Sequence, residues 1–189
     1  KDRELRSVLM QRFGHLSPDQ SRNFYAQQIR TLIKSATGRN GYIEYGSSRR
    51  IAQMVDSYLE NSRVLAAKGN LSAAINTSTA VAEEMCAALQ YVDDSSGSIG
   101  ESIGDAILFL EELAQNPRYA AAHEEIFTWL TEAFRKKTFG GWDWHFNIIR
   151  LAVGMAKDNN RAASLIQLLD SQTYLDFWDG EIAAIKVKE

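Results

Sequence analysis

Residues 65–74 read LAAKGNLSAA, and this stretch decides the fold because its design occurs three times in the chain. An apolar helix ends, a short polar turn of Gly, Asn or Pro follows, and a second helix opens with paired alanines. The other copies lie at 113–122, around Asn116-Pro117, and at 155–163, around Asn159-Asn160. Each copy predicts a helical hairpin. The alanines after each turn should be buried against the preceding helix: Ala73, Ala121 and Ala163.

These alanines recur at intervals of about 40–50 residues, a period typical of stacked helix pairs. The chain has only two prolines and is rich in Ala, Leu, Ile, Glu and Arg, which favours helix over sheet. We therefore predict an all-α fold of stacked antiparallel helical hairpins, a tetratricopeptide-like α-solenoid, in a single domain over 1–189. The predicted hairpins span approximately 1–37, 47–91, 98–138 and 142–171, followed by a tail over 172–189.

Several helix ends are marked by the sequence. Ser17-Pro18-Asp19-Gln20 has the form of a capping box and predicts a helix that continues to about Ala36. Gly69 is expected to end the next predicted helix. Ser98 with Glu101 predicts a second capping box.

Composition limits the kind of partner. A formal charge of −3 and a pI near 5.7 give no general attraction to nucleic acid or to an anionic membrane. The apolar runs are far shorter than a bilayer requires, so no membrane association is expected. The single Cys86 excludes an intramolecular disulfide framework and a cysteine-only zinc site, and it favours a cytoplasmic protein.

The motifs that could carry chemistry are incomplete. His123-Glu124-Glu125 lacks the second histidine of a zinc-protease helix, because Phe127 occupies that position. The run 93–97 lacks the Glu that a calcium loop needs at its twelfth position, where Gly104 stands, and capping of a helix is the favoured interpretation. We therefore predict no catalytic residue, no metal and no cofactor, and we expect that the protein is not an enzyme.

Two clusters are candidates for binding a protein or peptide partner. Trp142 and Trp144 belong to a run of three large aromatics in five residues, more than one helix face can bury. A basic and aromatic cluster near the start of the second hairpin forms the other candidate: Tyr42, Tyr45, Arg49 and Arg50. Aromatic and arginine side chains often carry binding energy at interfaces, so we predict a partner-binding groove that these residues reach.

Two alternatives remain open at this stage. Arg39, Arg49 and Arg50 could form a local surface for nucleic acid, although the acidic overall charge disfavours nucleic acid as a partner. An unrecognised hydrolase is the other alternative.

Two short motifs carry a resemblance to a known family. Residues 41–45 read GYIEY, and residues 92–97 read VDDSSG after an alanine-rich helix. Together with Trp142-Asp143 and Phe146, they resemble the helical region downstream of the SWIM zinc finger in a family of bacterial proteins. The resemblance covers roughly residues 40–155.

The resemblance implies a tetratricopeptide-like array that contacts a partner, joined to a zinc finger that contacts DNA or protein. The Cys-x-Cys and Cys-x-His ligands of that finger are missing from a chain with one cysteine, so no metal or DNA role is carried over. Because the chain begins at Lys1 rather than at a methionine, we expect the helical part of a longer SWIM-type protein.

Overall fold

The computed structural model describes residues 18–170, and most of this part of the chain is helical. It contains seven α-helices: α1 Pro18–Ala36, α2 Tyr45–Ala67, α3 Leu71–Ala88, α4 Ser98–Gln115, α5 His123–Arg135, α6 Trp144–Met155 and α7 Asn159–Asp170. Short 3-10 segments follow α3 and α4, at Leu89–Tyr91 and Pro117–Ala122. The all-α prediction is confirmed. None of the described helices is long and apolar enough to cross a bilayer.

The helices belong to two compact units, which divide between Leu110 and Glu111 inside α4. The partner helix of α1 in the predicted hairpin 1–37, the Ser17 cap and the tail 172–189 lie outside the described residues. The third predicted hairpin, 98–138, crosses this division.

Helices α2 and α3 form the antiparallel hairpin predicted over 47–91. Helix α2 ends in the glycine motif that its sequence indicates: Gly69 adopts a φ of 82°. The amides of Gly69 and Asn70 bond back to the carbonyls of Ala66 and Leu65 at 2.9 Å. A Cβ atom disfavours this left-handed backbone conformation, so glycine is the favoured residue at position 69.

Helix α1 covers the hairpin by packing mainly on α3. Arg22 and Arg30 each hold a glutamate of α3, Glu83 and Glu84, at 2.6 Å. Helix α3 thus has a partner on more than one side, and every residue from 73 to 82 is buried.

A short backbone bridge closes the first unit. The Ile43 amide donates to the Tyr91 carbonyl at 3.0 Å, and the Asp93 amide donates to the Ile43 carbonyl at 2.8 Å. The resulting parallel bridge joins Ile43 to Val92, and both side chains are buried. The motifs at 41–45 and 92–97, which lie far apart in the sequence, are therefore neighbours in space.

Helix α4 lies beside α2. Ser102 donates a hydrogen bond to Asp56 at 3.0 Å. About two turns further along both helices, the Arg63 guanidinium lies 4.7 Å from the centre of the Phe109 ring. Because these contacts advance in the same direction along both helices, α2 and α4 run parallel to each other.

The second unit is built around α5. Helix α6 packs mainly against α5, and α7 contacts both helices. The Arg161 guanidinium of α7 lies 5.1 Å from the centre of the Phe127 ring and binds Glu124 at 2.6 Å, which ties α7 to α5. The helices predicted over 142–171 are therefore present and in contact.

The predicted burial of the repeat alanines is correct in one hairpin and wrong in two. Ala73 is buried, whereas Ala121 and Ala163 are exposed. Their neighbours Ala122 and Ala162 occupy the buried positions instead. In the first pair both Ala73 and Ala74 are buried, because α3 packs against both α1 and α2. In the two later pairs only one alanine is buried, since successive residues of a helix point about 100° apart.

The predicted capping box at Ser98 and Glu101 is also wrong. The amides of Ile99 and Gly100 donate to the two carboxylate oxygens of Asp94 at 2.9 Å each, so Asp94 caps α4. The Glu101 amide bonds to the Gly97 carbonyl rather than to Ser98. The capping interpretation of residues 93–97 is confirmed, with Asp94 as the residue that caps α4.

Candidate functional site

The first unit has an open cleft between the N-terminal halves of α2 and α4. Its volume is about 250 Å³. Side chains spaced three or four residues apart on each helix line it, which is the spacing of one helix face. They are Arg49, Ala52, Gln53 and Asp56 from α2, and Ser98, Glu101, Ser102 and Asp105 from α4. We call this depression the α2–α4 cleft.

The cleft is polar and carries charges of both signs. Asp56, Glu101 and Asp105 supply three carboxylates, and Arg49 supplies one guanidinium. Ala52 provides an apolar floor, because it is buried. Such a surface can hold a polar or charged group and can also pack against an aliphatic stem.

The surroundings of Asp56 in the cleft raise the pKa of its carboxyl group. Partial burial raises its pKa, the hydrogen bond from Ser102 opposes this effect, and the negative charges of Asp105 and Glu101 add to the increase. Ser102 is itself buried and also donates to the Ser98 carbonyl at 3.2 Å. Asp56 is therefore held in place by a buried hydroxyl while it repels its acidic neighbours.

The raised pKa of Asp56 predicts a pH effect on stability. A carboxyl whose pKa is higher in the folded state than in the unfolded state contributes stability below its ordinary value of 3.8, and this contribution is lost as the pH rises through the folded pKa. Asp56→Asn keeps the acceptor for Ser102 and removes the charge. We expect a flatter stability profile in this variant above pH 3.8, measured by urea unfolding at stepped pH. An unchanged profile would contradict this assignment.

The cleft lining includes one of the four partner-binding residues predicted in the first unit. Arg49 lines it, and Tyr45 lies one turn earlier on α2. Tyr42 and Tyr45 are exposed, at 41% and 47%. Arg50 is exposed but does not belong to the cleft lining.

Trp142 and Trp144 belong to the second unit: Trp142 lies in the connection between α5 and α6, and Trp144 is the first residue of α6. Their ring centres lie 5.8 Å apart, and Trp142 is 39% exposed. His145 stacks on Phe134 at 4.6 Å, and burial, with a smaller effect from Lys137, lowers its pKa. Trp142 is thus exposed, whereas Trp144, His145 and Phe146 are each partly buried.

Sequence reasoning missed most of the cleft lining. Asp56, Glu101, Ser102 and Asp105 were not among the predicted site residues. The exposed carboxylates at Glu101 and Asp105 are four residues apart and indicate a common helix face. Nothing in the sequence indicates that this face lies beside Asp56, because that depends on how α2 and α4 pack.

Other chemistry-bearing groups in the described residues are not assembled into a site. No group of three or more His, Cys, Asp or Glu side chains in residues 18–170 has a geometry that could hold a metal ion. Cys86 is buried on α3, and burial raises its pKa to about 11. Its thiolate is therefore scarce near neutral pH, and the thiolate is the nucleophilic form.

No family model matches this chain, and comparisons with curated proteins and with solved structures return no match. The function is therefore argued from the geometry of the cleft.

Proposed function

We propose that this chain is a non-enzymatic helical interaction module that binds a protein or peptide partner in the α2–α4 cleft. One observation carries the proposal: α2 and α4 run in the same direction and leave an open, charged cleft between them. Parallel helices from successive hairpins are what a stack of helical repeats predicts. A tetratricopeptide-like arrangement within a longer, cytoplasmic SWIM-type protein is part of the same proposal.

The chemistry of the cleft favours a polypeptide over the alternatives. A peptide offers main-chain carbonyls to the Arg49 guanidinium and side chains to the carboxylates. A nucleic acid would bring phosphates to a surface with three carboxylates and one arginine, which favours repulsion. A cysteine hydrolase has weaker support still, since the Cys86 thiol is buried with a raised pKa.

Selection from a displayed library of random peptides of about 12 residues tests the proposal. Immobilised protein should enrich a family of peptides, and the selected peptides should bind in the cleft. Gln53→Trp should abolish their binding, because Gln53 is exposed on α2 and an indole there fills the cleft. The measurement is fluorescence polarisation of the selected peptides after synthesis.

Gln27→Trp is the matched control, since Gln27 is exposed on α1 and does not line the cleft. It should bind the peptides as the unmodified chain does, and circular dichroism should show equal helicity in both variants. If no peptide is enriched, or if the selected peptides bind the Gln53→Trp variant with full affinity, the proposal is wrong.

A further inference from the structure

The charges of the α2–α4 cleft are not balanced by the rest of the first unit. Three carboxylates face one guanidinium, and no ion pair joins Arg49, Asp56, Glu101 or Asp105 to any side chain in the described residues. Elsewhere in the same unit, the half-buried Glu83 and Glu84 of α3 are paired with Arg22 and Arg30. The cleft therefore keeps a net negative charge that an incoming cation can neutralise.

The carboxylates act on one another. Asp105 and Glu101 each raise the pKa of Asp56, so the three negative charges lie within interaction distance across the two helices. Like charges held this close cost free energy, and a cation between them removes that cost. The cleft should therefore bind a cation more tightly than a neutral group of the same size, because only the cation relieves the repulsion.

An apolar surface continues from the acidic one. Leu108 lies about one turn beyond Asp105 on α4 and is 54% exposed. Val64 of α2 is 41% exposed and follows Arg63, which contacts the ring of Phe109 at the same level of α4. We call Leu108 and Val64 the apolar shoulder of the cleft.

The size of the cleft narrows the choice of cation. A volume of about 250 Å³ admits one long side chain but not a folded element. Lysine and arginine combine a terminal charge with an aliphatic stem, and the stem can pack on Ala52 at the cleft floor. A polypeptide that carries such a side chain can also place an apolar neighbour on the shoulder.

We propose that the occupant of the α2–α4 cleft is a basic polypeptide segment whose lysine or arginine enters the cleft while an adjacent apolar side chain covers Leu108. This inference rests on the proposed function and names the partner class for it. Arg49 lies at the N-terminal end of the α2 side of the cleft and donates to a carbonyl of the segment. Because Arg49 and the three carboxylates contact different parts of the segment, they fix the direction in which it lies. Such charge complementarity gives specificity and a fast, salt-dependent association.

The test uses the peptides selected from the random library and their substituted versions. The selected family should contain a lysine or arginine next to an aliphatic residue. Replacing that basic residue with glutamine should weaken binding at least about tenfold at physiological ionic strength. Replacing the aliphatic residue with serine should weaken binding several-fold, as Leu108→Ser should in the protein.

The protein variant Glu101→Gln with Asp105→Asn should bind the basic peptide and its glutamine version within about twofold of each other. Both positions are exposed, and the Asp94 cap of α4 is untouched. Asp143→Asn with Asp170→Asn removes the same charge from exposed positions of the second unit and should keep the full preference. Fluorescence polarisation measures all three proteins.

Three results would overturn the inference: a selected family without basic residues, a preference that survives in the Glu101→Gln with Asp105→Asn variant, or an equal loss in the control. The last result would indicate attraction of a cation to any acidic protein. If neutral peptides bind and Gln53→Trp abolishes their binding, the proposed function stands and the basic partner is wrong. If no peptide binds, both fall.

Discussion

Ile43→Ala will lower the free energy of unfolding by about 2–5 kcal/mol, the cost of truncating a fully buried aliphatic side chain that leaves a cavity. Ile43 has no exposed surface, and its backbone is bonded on both sides to the segment after α3. Loss of the side chain therefore loosens the point where the motifs at 41–45 and 92–97 meet. Urea unfolding followed by circular dichroism measures the change.

Tyr42→Ala is the control for this experiment. Tyr42 is the preceding residue and is 41% exposed, so its removal should change stability by less than about 0.5 kcal/mol. Equal losses of unfolding free energy in the two variants would show that burial of the Ile43 side chain does not stabilise the contact between the two motifs.

Ala73→Leu will cost about 1–3 kcal/mol, because a larger side chain must enter a close-packed surface of α3. Ala73 is 6% exposed, near the start of the helix that packs against both α1 and α2. Thermal and urea unfolding should both show the loss.

Ala121→Leu and Ala163→Leu are matched to it, since the same change falls on equivalent positions of the repeated design. Both alanines are exposed, so each variant should stay within about 0.5 kcal/mol of the unmodified chain. A loss at Ala121 or Ala163 as large as that at Ala73 would contradict the helix register described above.

The ends of the helices could be predicted from the sequence because local residues determine them. Gly69 ends α2 by adopting a left-handed backbone, and the turn at Asn116-Pro117 separates α4 from the next helical segment. The register of the later alanine pairs could not be predicted. Ala121 and Ala122 have the same side chain, and the choice between them depends on the helices packed nearby.

The cleft could be predicted from the sequence less completely than the helices. Arg49 and its aromatic neighbours could be named from residue type alone. Asp56 and Ser102 are 46 residues apart, and their contact follows from the parallel packing of α2 and α4. Local patterns determine a helix face, but they do not determine which other face lies beside it.

The central claim is that a polypeptide binds between α2 and α4. Titration of isotope-labelled protein with the selected peptide, followed by amide chemical shifts in NMR spectra, tests it most directly. The amide shifts of Gln53, Ser102 and Asp105 should change together and saturate with one peptide per chain. Changes confined to residues 111–170, around Trp142 and Trp144, would contradict it.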